Sequence, residues 1–129
     1  MQHQDLIQAA LQVRERAYAP YSKFQVGAAV VTTDGELFLG TNMENASFGL
    51  TVCAERNAIA AAIASGARGL AQVAVVSGPG AQMCGACRQV LAEFADDQTE
   101  VLLGNGAGEF RELRLKDLLP EAFTPADLP

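Results

Sequence analysis

Residues 73–103 read VAVVSGPGAQMCGACRQVLAEFADDQTEVLL, and their pattern indicates the fold class most clearly. The apolar run Val73–Ser77 is followed by Gly78-Pro79-Gly80, which predicts a strand that ends in a turn or loop. Residues 84–95 have helical periodicity, and Glu100–Leu103 is again short and apolar. Strands that alternate with helices in this way imply an α/β layered domain, with helices on both faces of a sheet.

The sequence on either side adds two helices and three strands. Residues 5–17 carry apolar side chains at helical spacing, and the Ala-rich residues 53–65 predict a buried helix that stops at Gly66. Further strands are predicted at 24–33, 36–43 and 110–114, the first two joined by a turn at Asp34-Gly35. The glycine-rich residues 104–108 predict a hairpin rather than a phosphate loop, because a strand and not a helix follows them.

Composition predicts one soluble domain that spans residues 1–129. Half of the residues are apolar and 19% are charged, which is enough to bury a single core. The net charge of -6 argues against nucleic acid or a membrane surface as the main partner, because both carry negative charge. We expect no targeting or transmembrane segment and a cytoplasmic location.

The three cysteines are the first candidates for a functional site. Cys84 and Cys87 lie three residues apart at a predicted helix start, so both sulfurs can converge on one zinc ion. A redox pair has the same spacing, but Cys53 also opens a predicted helix and favours a metal. The only histidine, His3, lies close to a chain end and is not an expected ligand. Three protein ligands leave the fourth zinc position open, which is typical of catalytic sites.

Glu55 is the candidate proton carrier. It follows Cys53 by two residues, and both side chains can face one pocket if Cys53 precedes the helix proper. A carboxylate beside an activated water can take its proton and redeliver it. Glu55 could equally be a first-turn acid that suits the helix dipole, and the residues alone leave both interpretations open.

Four segments closely resemble the small homotetrameric zinc-dependent cytidine deaminases. They are Tyr21–Ala29, Asn42–Phe48, Cys53–Ala58 and Cys84–Leu91, and the resemblance continues to Leu118–Phe123. It implies a three-layer α/β/α sandwich with a mixed five-stranded sheet. It also implies hydrolytic deamination of cytidine and deoxycytidine to uridine and deoxyuridine plus ammonia, in pyrimidine salvage. The assembly would be a homotetramer with its sites at subunit interfaces.

The same resemblance implies roles for single residues. Cys53, Cys84 and Cys87 would hold one zinc ion per subunit, and Glu55 would protonate the ring at N3 while zinc-activated water attacks C4. The residues implied to contact the nucleoside are Phe24, Asn42, Glu44, Phe48, Ala54 and Phe123, the last from a neighbouring subunit. Asn42 and Glu44 would bind the ribose 3′-hydroxyl, although composition alone favours a solvated pair there. Each Phe could equally belong to the core.

Charge balance at the zinc site indicates a role for Arg56. Zinc with three thiolates has a net charge of about -1, which weakens its pull on water. In similar enzymes the Arg that matches Arg56 hydrogen-bonds the sulfurs, and we expect Arg56, positioned by Gln89, to restore part of the Lewis acidity. The alternative is that Arg56 is a surface residue paired with a nearby Glu.

The chain also departs from the family pattern at two positions. Met83 and Gly49 stand where proline is usual, and we expect Met83 to be tolerated because the zinc ligands are intact.

Other classes remain open. A non-catalytic zinc protein usually has a fourth protein ligand, and a thiol redox protein would use Cys84 and Cys87 without needing Glu55. A deaminase of another aminopyrimidine nucleoside, such as an antibiotic, is a nearer alternative. The pair Asn42 and Glu44 favours nucleosides with a free 3′-hydroxyl, which argues against an RNA or DNA editor.

Overall fold

A mixed sheet forms the centre of the molecule. The structure is a computed structural model that describes residues 1–129. Its strands are β1 (Val26–Thr32), β2 (Leu37–Thr41), β3 (Leu70–Ser77), β4 (Glu100–Gly104) and β5 (Phe110–Leu113). They pair in the order β2-β1-β3-β4-β5. β3 and β4 are parallel and the other neighbours are antiparallel, which confirms the mixed five-stranded sheet.

Four α-helices and two short 3₁₀ turns complete the fold. The helices are α1 (His3–Arg14), α2 (Ala54–Ala64), α3 (Gly85–Phe94) and α4 (Leu115–Leu118), and the 3₁₀ turns are Phe48–Leu50 and Pro125–Asp127. None of the helices is both long enough and apolar enough to cross a bilayer. The sequence pattern did not predict α4 or the two 3₁₀ turns, because three or four residues show no periodicity.

Two separate apolar cores lie on the two faces of the sheet. Successive side chains of a strand point to opposite faces, and β1 shows this clearly. Ala28 and Val30 pack with α2 and α3, whereas Ala29 and Val31 pack with α1. The arrangement is therefore a three-layer α/β/α sandwich, as predicted.

The predicted elements are present, with ends shifted by a few residues. α1 ends at Arg14 and β2 at Thr41, both earlier than expected. The turn at Asp34-Gly35 is confirmed, and Gly35 has the positive φ of 88° that favours glycine. The hairpin at 104–108 is confirmed too, because β4 and β5 are antiparallel.

Gly40 determines how closely α2 approaches the sheet. A Cβ atom at this position would lie 2.5 Å from the Ala58 nitrogen and 2.6 Å from the Ala54 carbonyl oxygen. A side chain there would push the helix outward. Cys53 and Glu55 lie at the N-terminus of α2, and the position of this helix end therefore requires a residue without a side chain at Gly40.

Candidate active site

The candidate ligands lie where two helix N-termini come together. Cys53 is the N-cap of α2 and Cys84 is the N-cap of α3, and both have extended backbones, with ψ of 155° and 163°. Cys87 lies in the first turn of α3 and is fully buried. The backbone dipoles of both helices therefore favour negative charge at this point.

The three sulfurs are close enough to share one ion. The Cys53 and Cys84 sulfurs are 3.8 Å apart, and the Cys84 and Cys87 sulfurs are 3.2 Å apart. All three lie within 4.8 Å of one another, and none is in a disulfide. Sulfurs bound tetrahedrally to zinc at about 2.3 Å stand roughly 3.8 Å apart, so the three thiols fit a zinc ion.

The protonation of the thiols also calls for a cation. The pKa of Cys53 is lowered to about 5, chiefly by a hydrogen bond from Cys87 and also by Arg56. The same hydrogen bond and burial raise the pKa of Cys87 far above its usual value. Without a cation, a thiolate at Cys53 therefore disfavours a second thiolate beside it. A divalent ion removes this conflict because it stabilises all the thiolates together.

Arg56 lies next to the Cys53 sulfur. Its terminal nitrogen Nη2 lies 3.7 Å from the Cys53 sulfur, and this contact is the main reason that the pKa of Arg56 is raised. Its Nε is buried without a hydrogen-bond partner. Gln89 is placed elsewhere: its amide nitrogen donates to the Phe123 carbonyl oxygen at 2.9 Å. The expectation that Gln89 positions Arg56 is not met, because the C-terminal segment folds back onto α3 and takes this amide.

Glu55 is a buried carboxyl group beside the cluster. It is the second residue of α2 and is 3% exposed. Burial raises its pKa, and negative charge at Cys53 raises it further. A carboxyl group with a raised pKa holds and releases a proton closer to neutral pH, as general acid–base catalysis requires.

A cavity of about 200 Å³ opens onto this cluster. Its lining combines apolar and polar side chains and includes Phe24, Asn42, Ala54, Glu55, Gln82 and Cys84. A second cavity of about 270 Å³ is lined by Tyr21, Ser22, Glu44 and Phe48. Thr51 lines both cavities, so they adjoin. The thiols lie at one end of this combined cleft and Glu44 at the other.

Asn42 and Glu44 are held by backbone groups. The Asn42 carboxamide accepts from the Val26 amide at 2.9 Å and donates to the Phe24 carbonyl at 2.7 Å. The Glu44 carboxylate accepts from the backbone amides of Tyr21 and Ser22 and from the Ser22 hydroxyl. These contacts lower the pKa of Glu44 and keep it ionised, so the pair is fixed in place rather than freely solvated.

The three candidate aromatic residues are exposed and are not part of the core. Phe24 is 41% exposed, Phe48 73% and Phe123 60%. Phe24 lines the first cavity, and Phe48 packs against Tyr21 at the second, with ring centroids 5.7 Å apart. Phe123 lines neither cavity of its own chain.

Three residues that the sequence pattern did not predict also line the cleft. Thr51, Ser77 and Gln82 line the cleft, and nothing in their residue types or spacing indicated this. Met83, which departs from the family pattern, is 4% exposed and packs in the core. A Cβ at Gly49 would meet no atom within 4 Å, so this second departure changes no packing.

Comparison with known proteins identifies the class of site. Residues 1–103 match the family described as the cytidine and deoxycytidylate deaminase zinc-binding region. The chain therefore belongs to this family of zinc-binding deaminases, and its metal is zinc.

Individual relatives agree over nearly the full chain. The cytidine deaminase of Halalkalibacterium halodurans is 49% identical over 130 residues, which cover 99% of this chain and 98% of that protein. That of Mycobacterium tuberculosis is 44% identical, with coverages of 93% and 88%. The crystal structure of the cytidine deaminase from Burkholderia pseudomallei is 51% identical, with a TM-score of 0.91 and coverages of 95% and 100%.

Proposed function

We propose that residues 1–129 act as one catalytic domain that hydrolyses cytidine and deoxycytidine to uridine and deoxyuridine plus ammonia. The observation that supports this most strongly is that three thiols converge and that two of them, Cys53 and Cys84, line the same cavity as the buried Glu55 carboxyl group. Relatives of this chain are named cytidine deaminases. A thiol redox protein would not require a carboxyl group at the same place.

Cys53, Cys84 and Cys87 would hold the zinc ion. Bound there, zinc supplies a Lewis acid that makes water easier to deprotonate. Glu55 would take one proton from the attacking water and deliver it to N3 of the cytosine ring, and would then carry the second proton, from the new C4 hydroxyl, to the departing amine. Arg56 donates to the Cys53 sulfur and withdraws part of its negative charge. Water adds at C4 and ammonia leaves, so the reaction consumes one water and needs no redox partner.

The nucleoside would lie along the cleft, with its base near the thiols and its ribose near Glu44. Phe24 and the backbone of Ala54 contact the base, because both line the cavity at the thiol end. A carboxamide can make four hydrogen bonds, and Asn42 uses only two on the backbone. Its remaining capacity and the Glu44 carboxylate suit a ribose 3′-hydroxyl that both donates and accepts.

A homotetramer would complete each cleft. Two aromatic side chains that line the cleft, Phe24 and Phe48, are 41% and 73% exposed in the single chain, and ligand sites often form between units. Large apolar side chains are exposed at the cleft and next to it in the sequence: Phe48 lines the second cavity, and Leu50, which is 65% exposed, precedes the lining residue Thr51. Phe123 would close the cleft of a neighbouring subunit. Sedimentation should give four times the 13.6 kDa chain mass, and a fully active monomer would contradict the assembly.

A substrate panel tests the activity directly. Zinc-loaded protein is mixed with cytidine, deoxycytidine, adenosine, free cytosine and a cytosine nucleoside antibiotic, and ammonia release is measured. We expect turnover of cytidine and deoxycytidine. Turnover of the antibiotic alone would instead favour a deaminase of another aminopyrimidine nucleoside. Bound zinc without any ammonia release would indicate a non-catalytic zinc protein.

The three free thiols must stay reduced to bind zinc, which supports a cytoplasmic location.

A further inference from the structure

We infer that Arg88 is a positioning residue that holds the segment entering Cys84, and hence the metal ligands, in place. The inference rests on the proposed function for the meaning of the site, but not for the contacts. Residues 78–84 join β3 to α3 without a helix or strand. Only a few polar contacts fix this segment, among them a hydrogen bond from the Ala81 amide to the Ser77 hydroxyl at 2.7 Å.

The Arg88 guanidinium makes three hydrogen bonds with separate acceptors. Nε donates to the Met83 carbonyl oxygen at 2.8 Å, and Nη2 donates to the Gln82 side-chain oxygen at 3.2 Å. Nη1 donates to the Leu118 carbonyl oxygen at 2.8 Å. Neither of the two ion pairs in the structure involves Arg88. The three hydrogen bonds of Arg88 therefore all go to neutral groups, two in the segment before Cys84 and one in α4.

These acceptors belong to residues that are themselves anchored. Met83 and Leu118 are each 4% exposed, and both pack in the core that contains Cys87. Arg88 therefore links the backbone carbonyl groups of two residues whose side chains belong to the same core. Because Arg88 directly follows Cys87 in α3, its hydrogen bonds tie the residues before Cys84 to the helix that carries Cys87.

The third contact reaches into the cleft. Gln82 lines the cavity beside Cys84 and Glu55. Since its carboxamide oxygen accepts from Arg88, its amide nitrogen is the group left to meet a ligand. Arg88 therefore fixes both the approach to the metal ligands and one polar donor of the cleft.

Arginine is specifically suited to this position. A guanidinium presents its donors in a rigid planar fork, whereas a lysine ammonium is a single point on a flexible stem. Lysine would keep the charge and at most part of the contacts. Methionine would keep the apolar stem and none of them.

Zinc release to a chromogenic chelator tests the inference without any turnover. The variants are Arg88→Met and Arg88→Lys, and the matched control is Arg68→Met, because Arg68 also donates to backbone carbonyls but lies at the far end of α2. We expect Arg88→Met to release zinc about tenfold faster, Arg88→Lys to recover only part of the loss, and the control to match wild type. Gln82→Ala should raise KM for cytidine about fivefold with kcat unchanged.

Equal zinc release in Arg88→Met and the control would overturn the inference. Full recovery by Arg88→Lys would overturn it too, because charge alone would then suffice. If Arg88→Met does not fold by circular dichroism, zinc release from Arg88→Lys decides: faster release than wild type supports the inference, and the wild-type rate overturns it. If wild type releases no ammonia from cytidine, the proposed function fails while zinc release still decides the role of Arg88.

Discussion

Replacing Asn42 with alanine should destabilise the protein by an amount that the structure allows us to work out. The Asn42 side chain is 8% exposed and bridges two backbone groups, the Val26 amide and the Phe24 carbonyl. Each hydrogen bond is worth about 1 kcal/mol net, and the two backbone groups would lose a partner where water enters poorly. We expect a loss of about 2 to 3 kcal/mol, or roughly 10 °C in Tm for a chain of this size.

Urea unfolding of the zinc-loaded protein at one fixed chain concentration measures this loss. Asn57→Ala is the matched control, because Asn57 makes one such bond, from its amide to the Thr41 carbonyl at 2.7 Å. Asn57 also lies in α2, where alanine regains about 0.5 kcal/mol of helix propensity, so its net cost should stay below 1 kcal/mol. Equal losses for the two variants would refute the bridging role of Asn42.

Three further substitutions test other parts of the structure. Gly40→Ala should cost about 2 kcal/mol in urea unfolding and weaken zinc binding, because the new methyl group displaces α2, whereas Gly49→Ala should change neither. Glu44 has a lowered pKa, chiefly through the Ser22 hydroxyl, so its stabilisation is present above its usual pKa of 4.5 and is lost as pH falls through the lower folded value. Glu44→Gln should therefore flatten the acid limb of stability against pH, and an unchanged limb would contradict this. Arg56→Ala should lower zinc affinity or turnover about 10-fold to 100-fold, and wild-type values for both would show that its contact with the sulfur is unimportant.

Local signals in the sequence predicted much of the fold. The turn at Asp34-Gly35 and the strand and helix periods around Cys84 each depend on neighbouring residues, and the structure contains all of them. The N-cap positions of Cys53 and Cys84 followed from the same logic, because both precede helical patterns. Spacing alone was therefore enough to bring the sulfurs to two helix starts.

Long-range contacts could not be predicted in this way. Gln89 was expected beside Arg56, but its amide bonds the Phe123 backbone 34 residues away. The close approach of α2 to Gly40 and the three acceptors of Arg88 likewise depend on how distant segments pack. No residue type or period encodes such a pairing, because any exposed polar side chain can find a backbone partner once the chain has folded.

The proposed mechanism assigns zinc binding to the three thiolates and proton transfer to Glu55. Zinc content and ammonia release from cytidine, measured together on Glu55→Gln, test it most directly, with Glu93→Gln on the exposed side of α3 as the control. We expect one zinc per chain and a turnover lowered by about 10² to 10⁴ in Glu55→Gln, with a control that matches wild type. Turnover near the wild-type rate in Glu55→Gln would contradict it.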